Sequence, residues 1–428
     1  MKLVDFLIVG GSAAGTTAAE VIRGLLPDVS ISIVTDESHE QYSRVLLPHF
    51  IRHKVEREQV FLKKAQWYAD KRIDLVKGVR AQRLEVSRKT IILENGEEIQ
   101  YGKLLISIGG YAIKLDAVGA DLENILYLRT LEDADRIVKV ASSACAKALT
   151  DKQSAKGVIV GGGFIGLEFC SCFAKNGVGD ICVLVMEPYF WKGKLDEDSS
   201  KVLVSTLEKN GIKVLVGEQV DHFVGEGKVQ SVVTKSGGSF EADVVGIGIG
   251  IKSDFSWLEG TGIEISRAIV TNEYLETNLP DVYAAGDCAE FRDVIFDRQH
   301  IMGNWANATS QGSAVGKTMS GQKTVFETAS SYSVNFFDPP NNGSCTFIGV
   351  TDEKFADEII KRGSVDAGKM TRIFVKTIGG VMRVVGATII NNPMEVAPLT
   401  AVIKGKVDIF KNKDKFVDAS FDLKELLV

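Results

Sequence analysis

The fold is decided by a short stretch near the start of the chain, Phe6-Leu7-Ile8-Val9-Gly10-Gly11-Ser12-Ala13-Ala14-Gly15. Its four apolar residues predict a buried strand, its glycines predict a tight turn, and residues 16–26 predict a helix. The same order occurs again, because the apolar run 158–160 precedes Gly161-Gly162-Gly163-Phe164-Ile165-Gly166 and the helix-compatible residues 167–176. The chain therefore contains two units of strand, glycine turn and helix.

A matching acid follows each unit. The predicted second strands, 31–34 and 181–186, are followed by Asp36 and Glu187, and each acid stands 26 residues after the first glycine of its own copy. An acid at about this distance accepts hydrogen bonds from a ribose of a dinucleotide, whose pyrophosphate lies at the helix N-terminus. The agreement between the copies predicts two dinucleotide-binding Rossmann units.

Each position in the glycine turns has a physical role. The first glycine makes the tight turn, the second position lets the backbone approach the pyrophosphate, and the third glycine lets the helix pack closely on the strand. The first copy departs from this pattern, since its second position is Ser12, whose small hydroxyl side chain can itself contact a phosphate. The expected dinucleotide-binding residues are Gly10, Ser12, Ala13, Ala14 and Gly15 in the first copy and Gly161, Gly163, Phe164, Ile165 and Gly166 in the second.

Composition excludes several classes of protein. The 428 residues are 45% hydrophobic and 25% charged, which is typical of a folded chain of two or three domains. The net charge of −6 argues against binding to a nucleic-acid backbone. The longest apolar run, 244–251, is too short for a membrane span, and the apolar start of the chain fits a buried strand better than a secretion signal. We therefore expect a cytoplasmic protein.

The cysteines indicate neither a metal site nor a disulfide framework. The six cysteines, at positions 145, 170, 172, 182, 288 and 345, form no CxxC pair and no spacing typical of metal ligands. We interpret them as small buried residues in a reducing compartment, and we expect no metal.

A later stretch adds a further acid. Residues 271–287 end in Ala284-Ala285-Gly286-Asp287, which predicts a strand that ends just before a helix. Such an arrangement would offer one carboxylate to a sugar hydroxyl and a helix N-terminus to a pyrophosphate. The alternative is an ordinary turn in which Asp287 caps the helix.

Two dinucleotide sites in one chain suggest hydride transfer between a nicotinamide and a flavin dinucleotide.

Taken together, these motifs resemble the pyridine nucleotide–disulfide oxidoreductase class of flavoproteins. The resemblance is closest to the branch of ferredoxin and rubredoxin reductases, apoptosis-inducing factor and the flavin domains of NADH-linked nitrite reductases. It rests on residues 36–48, 104–110, 128–134, 162–168, 244–250, 283–287 and 304–312. It implies that the first unit binds FAD and that the second binds NAD(H).

The resemblance implies an α/β fold with two Rossmann-like domains and a C-terminal α+β domain. The implied bounds are 1–112 and 245–324 for the FAD domain, 113–244 for the NAD domain inserted in it, and 325–428 for the third domain. The third domain alternates apolar and polar residues in 371–376 and 381–390, which predicts strands. In this class it carries the dimer or partner interface, which implies a homodimer or a larger hetero-oligomeric complex.

Carried over position by position, the resemblance predicts the remaining cofactor contacts. Asp36 and Glu37 stand where the adenosine ribose of FAD is bound, and Arg44 stands where a guanidinium meets the FAD phosphate or adenine. The other implied contacts are Ala81, Arg129, Asp287 and Trp305 for FAD, and Gly250 in the dinucleotide-binding set. A surface position for Arg44 and a core position for Trp305 are the alternatives.

Two side chains are candidates for catalysis. In ferredoxin reductases, a lysine after the Tyr-x-Arg segment pairs with a glutamate beside the flavin; here the glutamate is Glu168, but the lysine position is His49. Glu168 and His49 are therefore the candidate catalytic residues, with His49 also a candidate cofactor contact, because a His–Glu pair can move a proton at neutral pH. A structural role for His49 is the alternative.

The acid of the second unit indicates which nicotinamide cofactor is used. Glu187 would accept both ribose hydroxyls of NAD(H), and its charge would repel the 2′-phosphate of NADP(H). Residues 188–197 contain no Arg and only two lysines, Lys192 and Lys194. NAD is therefore favoured over NADP.

The positions of the cysteines argue against a disulfide as the electron acceptor. Class members that reduce disulfides need a reactive thiolate, as a cysteine pair or as one cysteine near residues 42–48, whereas this chain has no Cys before residue 145. The predicted function is an FAD-dependent NAD(H):acceptor oxidoreductase whose partner is an iron–sulfur or rubredoxin-type protein or subunit. An NADH oxidase that uses O₂ and an NADH-gated binding module are the alternatives.

Overall fold

The computed structural model describes residues 2–150 and 153–427. The chain divides into two compact units, each made of separate segments. The first comprises Met1–Val45, Glu56–Tyr111 and Lys252–Ser330, and the second comprises Leu46–Val55, Ala112–Ile251 and Ser331–Val428.

The described chain contains both helices and strands, and several long stretches consist of strands alone. The α-helices are α1 (Ala13–Leu25), α2 (Leu47–Ile51), α3 (Ala65–Asp70), α4 (Leu131–Thr150), α5 (Phe164–Lys175), α6 (Glu197–Glu208), α7 (Trp305–Met319), α8 (Val396–Lys404) and α9 (Lys413–Val417). The strands up to residue 185 are β1 (Lys2–Val9), β2 (Ile31–Val34), β3 (Ile73–Val76), β4 (Ala81–Glu85), β5 (Thr90–Leu93), β6 (Glu98–Ile106), β7 (Tyr111–Ala112), β8 (Ile125–Tyr127), β9 (Lys156–Val160) and β10 (Asp180–Val185). The later strands are β11 (Ile212–Val216), β12 (Val220–Glu226), β13 (Lys228–Thr234), β14 (Ser239–Glu241), β15 (Val244–Ile247), β16 (Ile251–Lys252), β17 (Ile269–Val270), β18 (Val282–Ala284), β19 (Ala289–Asp293), β20 (Arg298–His300), β21 (Ser331–Phe336), β22 (Gly343–Gly349), β23 (Glu358–Ser364), β24 (Lys369–Ile378) and β25 (Val381–Ile390). Short 3₁₀ segments occupy Arg44–Leu46, Arg57–Val60, Val86–Arg88, Ser256–Leu258, Pro393–Glu395, Phe410–Asn412 and Leu423–Leu427.

The first unit is built on one mixed sheet. Strands β3, β2, β1 and β6 are parallel neighbours in that order, and β18 pairs in parallel with the end of β6. The beginning of β6 pairs instead with antiparallel β5, which pairs with β4. Strand β1 is buried on both faces, since Phe6 and Ile8 belong to one core and Leu7 and Val9 belong to the other. This central position explains its uninterrupted apolar run.

Two helices of the first unit pack closely against each other. Helix α7 meets α1 at Gly312 and Gly316, where an added Cβ would lie 2.4 Å from the carbonyl oxygen of Ala14 and 3.0 Å from that of Ala18. Only residues without a side chain allow the two backbones to approach this far. The start of α1, which follows the first glycine turn, is therefore held in place by α7.

The second unit contains a parallel sheet and two antiparallel sheets. The parallel sheet has the order β11-β10-β9-β15-β8, and β12, β13 and β14 form a small antiparallel sheet. The C-terminal part is an antiparallel sheet in the order β21-β22-β25-β24-β23, accompanied by α8 and α9. The predicted fold class, with two Rossmann-like units and a C-terminal α+β part, is confirmed.

The predicted domain bounds remain a prediction, and they differ from the compact units at residues 46–55, 112, 245–251 and 325–330. Residues 245–247 of β15, which the sequence assigned to the FAD domain, pair with β8 and β9 of the second unit. The segment Leu46–Val55, which contains α2, also belongs to the second unit although it lies inside the predicted range 1–112. An apolar strand fits the middle of either parallel sheet, so its sequence alone does not show which sheet contains it.

The helix predicted directly after Gly286-Asp287 is wrong. The chain there forms β19, which pairs with β17 and β20, and α7 begins only at Trp305. The reason is the position of the helix cap: the side chain of Asn304 accepts a hydrogen bond from the N–H of Asn307, whereas β19 is buried almost throughout and uses its N–H groups in a sheet. Over the described residues, no helix is both long enough and apolar enough to cross a bilayer.

Candidate functional site

The two glycine turns have the same backbone geometry. Gly10 has a φ of +113° and Gly161 a φ of +107°, values that residues with side chains rarely adopt. A Cβ added to Gly10 would lie 2.2 Å from the carbonyl oxygen of Ser107, and one added to Gly161 would lie 2.5 Å from that of Gly248. Glycine is therefore required at both positions by conformation and by contact.

The third glycine of each turn lies directly against the first. A Cβ on Gly15 would lie 2.0 Å from the carbonyl oxygen of Gly10, and a Cβ on Gly166 would lie 2.0 Å from that of Gly161. The helices α1 and α5 begin immediately over these turns, with no side-chain cap and no acidic residue in their first turns. Their uncapped N–H groups and positive helix ends fit the pyrophosphate of a dinucleotide.

The second position of the turn tolerates a small side chain. A Cβ added to Gly163 would have the carbonyl oxygen of Gly248 as its nearest neighbour, at an ordinary contact distance of 3.6 Å. Ser12 occupies the equivalent position in the first turn and caps no N–H group of α1. The departure from glycine at Ser12 is therefore compatible with the backbone geometry that the two turns share.

The acids after β2 have partners in the first unit. The Oδ2 atom of Asp36 accepts a hydrogen bond of 2.7 Å from the Tyr111 hydroxyl and lies 3.3 Å from Nε of Arg80. Burial and the interaction with Asp36 both raise the pKa of Tyr111, so the hydroxyl remains a donor. Since no described residue bonds the Oδ1 atom of Asp36, that oxygen is available to a ribose hydroxyl.

Arg44 is not a surface residue. Its guanidinium forms an ion pair with Glu37 and donates to the Tyr42 hydroxyl at 3.2 Å, and its side chain is 19% exposed. Burial by itself lowers the pKa of Arg44, but Glu37, Tyr42 and Asp287 raise it overall. Arg44 therefore interacts both with Asp287, which follows β18, and with Glu37, which follows β2.

The turn at Gly286 is held by a buried glutamine. The Gly286 N–H, at a φ of +85°, donates to Oε1 of Gln311 at 2.6 Å. A Cβ on Gly286 would lie 3.5 Å from the Cβ of Ala14, so the turn lies beside the start of α1. Within the described part of the chain, Nε2 of Gln311 and Oδ1 of Asn307 are buried and unpaired. Unpaired buried atoms are uncommon, and here they fit the polar edge of a bound cofactor.

The other predicted FAD contacts are distributed over both units. Trp305 is the first residue of α7 and packs, partly buried, against one core of the first unit; Ala81 begins β4 and packs against the other core. Arg129 follows β8 in the second unit, where its N–H donates to Asp133 at 2.9 Å. Gly250, at a φ of +109°, follows β15. The first unit thus brings together the first glycine turn, Asp36, Glu37, Arg44, Asp287 and Trp305, whereas Arg129 and His49 lie in the second unit.

The cation that interacts with Glu168 is Arg52. Burial raises the pKa of Glu168 to about 7, and the positive charge of Arg52 partly offsets that rise. The Arg52 guanidinium is buried and donates to the carbonyl oxygens of Pro48 at 3.1 Å and Asn335 at 3.4 Å. It was missed in the sequence, where the only signal is its position one helical turn after His49.

His49 lies near several charged side chains. Burial lowers the pKa of His49, as do the nearby charges of Arg52 and Lys54, while Asp338 raises it. These interactions do not include Glu168, so the His–Glu pair remains a prediction. Glu168 itself has a pKa suited to holding or releasing a proton near neutral pH.

Glu187 occupies the position in the second unit that Asp36 has in the first. Each acid lies two residues beyond its strand, β10 or β2. The Glu187 side chain is exposed, and no described residue bonds its carboxylate. It is therefore free to accept hydrogen bonds from a ribose.

The cysteines are free thiols in unreactive surroundings. Five are buried and Cys145 is partly buried. Cys288 follows Asp287 directly, but its Sγ points to the carbonyl oxygens of Ala285 and Ile106, and burial raises the pKa of its thiol to about 12. Burial raises the pKa values of the other five thiols as well. A thiolate nucleophile is therefore disfavoured at all six positions.

Comparison with known proteins identifies the family. The model of the pyridine nucleotide-disulphide oxidoreductase family matches residues 4–312, and the chain belongs to that family. Nitrite reductase [NAD(P)H] of Bacillus subtilis (strain 168) is 28% identical over 293 residues, which are 68% of this chain and 35% of that protein. This chain therefore spans about a third of that relative.

A second relative is similar over almost its whole length. The ferredoxin–NAD(+) reductase component of the biphenyl dioxygenase system of Paraburkholderia xenovorans (strain LB400) is 27% identical over 426 residues, 98% of this chain and 97% of the relative. A chain in the crystal structure of the covalent putidaredoxin reductase–putidaredoxin complex shares the fold, with a TM-score of 0.88 and 24% identity over 99% of this chain and 98% of that one. The family assignment makes the protein an oxidoreductase of the pyridine nucleotide-disulphide class.

Proposed function

We propose that the protein exchanges electrons between NAD(H) and an iron–sulfur or rubredoxin-type protein or subunit by way of FAD. The observation that carries this proposal is the pair of matching glycine turns in one chain whose six thiols are all poor nucleophiles. Two dinucleotide sites supply a route for electrons, and unreactive thiols leave no disulfide relay as their exit. The ferredoxin–NAD(+) reductase component supports the choice of partner, because it aligns through the C-terminal part as well.

The residues of the first unit would hold FAD. In this proposal the uncapped start of α1 binds the pyrophosphate, Oδ1 of Asp36 accepts an adenosine ribose hydroxyl, and Asp287 accepts a ribityl hydroxyl. The unpaired atoms of Asn307 and Gln311 complete the polar lining. FAD held by these residues would supply the acceptor for a hydride from NADH and a carrier that releases electrons singly or in pairs.

The residues of the second unit would hold NAD(H). The uncapped start of α5 binds its pyrophosphate, and the exposed Glu187 binds its ribose and repels the phosphate of NADP(H). Glu168, whose pKa lies near 7, would take up or release a proton, and Arg52 would stabilise its ionised form. The predicted domain roles, FAD for 1–112 with 245–324 and NAD(H) for 113–244, are part of the same proposal.

The exit of electrons can be tested directly. Holoenzyme reduced by NADH without oxygen is mixed with a small ferredoxin, a rubredoxin, oxidised glutathione or O₂, and flavin reoxidation is followed by stopped flow. We expect fast reoxidation by at least one of the two redox proteins, with a rate that falls as salt is added, and slow reoxidation by glutathione and O₂. Fast reoxidation by the disulfide, abolished by one Cys→Ser change, would overturn the proposal, and fast reoxidation by O₂ alone would make the protein an NADH oxidase.

The nicotinamide assignment has its own test. We expect the wild-type protein to prefer NADH over NADPH by at least about tenfold in kcat/KM, and Glu187→Ala to narrow that ratio, because the substitution removes both the ribose acceptor and the repulsive charge. Glu197→Ala, in the first turn of α6, is the matched control and should leave the ratio unchanged. Equal use of both cofactors by the wild type would show that Glu187 does not contact the ribose.

A further inference from the structure

The loop 187–196, which begins with Glu187, connects β10 with α6. Residues 187–196 turn sharply, with a φ of +49° at Trp191 and +88° at Gly193. The N–H groups of Lys194 and Leu195 both donate to the carbonyl oxygen of Trp191, at 2.8 and 2.9 Å. A positive φ at a tryptophan is unfavourable, so surrounding contacts must maintain this shape.

One side of the loop packs on the second glycine turn. Phe190 is completely buried, and a Cβ added to Gly162 would lie 2.9 Å from its ring. The ring centroid of Trp191 lies 5.0 Å from that of Phe164, the first residue of α5. The shape of the loop and the position of the predicted NAD-binding turn therefore depend on each other.

The other side of the loop is bound by a buried arginine of the C-terminal sheet. The side chain of Arg372, on β24, is 3% exposed. Its Nη1 donates to the carbonyl oxygen of Lys194 at 2.6 Å, and its Nη2 donates to Glu353 at 2.6 Å. The N–H of Glu353 in turn donates to the carbonyl oxygen of Gly193 at 3.1 Å. Arg372 and Glu353 thus donate hydrogen bonds to the backbone carbonyl oxygens of two consecutive loop residues, 194 and 193.

The end of the loop is held by charges of the same sheet. Asp196 lies 2.5 Å from Nζ of Lys361 and 3.8 Å from Nε of Arg372, and it caps α6 by accepting the N–H of Ser199 at 2.9 Å. Burial alone would raise the pKa of Asp196, but Lys361, Ser199 and Arg372 lower it to about 2. Asp196, which faces Arg372, is therefore ionised at neutral pH.

Aromatic residues of this sheet also touch the glycine-turn side. The ring centroid of Phe347, on β22, lies 5.1 Å from the ring centroids of both Phe164 and Trp191. The ring centroid of Tyr332, on β21, lies 4.0 Å from that of Phe164. The C-terminal sheet consequently contacts both elements that flank the predicted nicotinamide dinucleotide site. The aromatic contacts support the glycine-turn side, while Arg372 and Glu353 bind the loop backbone.

We propose that Arg372 is a positioning residue of the NAD(H) site, through which the C-terminal sheet holds the loop 187–196 in the shape that presents Glu187 to the ribose. The proposal rests on the proposed function, because it takes Glu187 as the ribose acceptor. It assigns the C-terminal part a role in cofactor recognition in addition to any role at a partner interface. A buried arginine whose acceptors are backbone and carboxylate oxygens suits this task, since its planar fork fixes several groups at once.

The test compares Arg372→Met with Lys376→Met in the FAD-containing protein. Lys376 lies on the same strand and binds Asp357 and the Phe355 carbonyl oxygen, so it serves as the matched control. We expect Arg372→Met to raise the KM for NADH by about tenfold while kcat changes less than twofold and the FAD content is unchanged, because a shifted loop weakens binding of substrate and transition state alike. Lys376→Met should leave all three unchanged. An unchanged KM in folded Arg372→Met would overturn the proposal.

A double-mutant cycle distinguishes positioning from general loosening. If Arg372 acts through Glu187, Arg372→Met should change KM by less than twofold in the Glu187→Ala background. A full tenfold effect in that background would refute the positioning role. Should Glu187→Ala alone leave KM and the NADH/NADPH ratio unchanged, the ribose assignment fails instead, which separates the two failures. If Arg372→Met does not fold, Glu353→Ala removes one acceptor of the arginine and is expected to raise KM about threefold, and no change would count against the proposal.

Discussion

Replacing the third glycine of each turn by alanine tests the two proposed cofactor sites one at a time. In Gly15→Ala the new Cβ would lie 2.0 Å from the carbonyl oxygen of Gly10, and in Gly166→Ala it would lie 2.0 Å from that of Gly161. Since Cβ atoms essentially never approach closer than 3.0 Å, the helix and its turn must move apart by about 1 Å. In the proposed sites, a shift of this size would displace the N–H groups that bind the pyrophosphate and would weaken productive binding by ~10- to 100-fold.

The two variants are expected to fail in different ways. Gly15→Ala should purify with little FAD, and Gly166→Ala should retain FAD but need ~10- to 100-fold more NADH for half-maximal flavin reduction. FAD content is measured from the flavin absorbance, and NADH affinity from anaerobic titration. Each variant should also lose about 1–3 kcal/mol of unfolding free energy from overpacking.

The chain offers a control within α1 itself. Gly24 lies in the last turn of that helix with no atom within 4 Å of an added Cβ. Gly24→Ala should therefore retain FAD and gain up to ~1 kcal/mol in stability, because alanine favours the helix. Wild-type affinities for both cofactors in Gly15→Ala and Gly166→Ala would refute the steric argument, and loss of FAD in Gly166→Ala alone would reverse the assignment of the two sites.

Two further predictions concern the ionisation of Glu168 and the role of the six thiols. The pKa of Glu168 in the folded protein, about 7, lies above its usual value of 4.5, so ionisation favours the unfolded state and the free energy of unfolding falls as the pH rises from about 4.5 to 7. Glu168→Gln should remove this dependence and gain up to ~3 kcal/mol relative to the wild type between pH 5 and pH 8, as measured by denaturant unfolding; a constant difference between the proteins would contradict the assignment. Replacing all six cysteines by serine should leave NADH:dye activity within about threefold in the folded holoenzyme, because buried thiols with raised pKa values are poor nucleophiles. Loss of activity together with retained FAD and an unchanged melting temperature would show that a thiol takes part.

The sequence by itself determined the features that depend on neighbouring residues. The order of strand, glycine turn and helix is a local pattern, and the equal spacing from Gly10 to Asp36 and from Gly161 to Glu187 revealed that it occurs twice. A glycine turn is specified by its own backbone angles, which is why Gly10 and Gly161 could be identified without the tertiary structure. The two Rossmann units, and with them the family, followed from these patterns.

The tertiary structure decided which distant residues meet. The positive charge that acts on Glu168 is that of Arg52, which the sequence did not indicate, because the path of α2 and the residues that bury each side chain set their electrostatic partners. Strand β15 belongs to the second unit, since pairing depends on which sheet has space beside β8 and β9. The hydrogen bond from Arg372 to the Lys194 carbonyl oxygen joins residues 178 positions apart. Local periodicity carries no information about such pairs, because they form only when packing brings separate elements together.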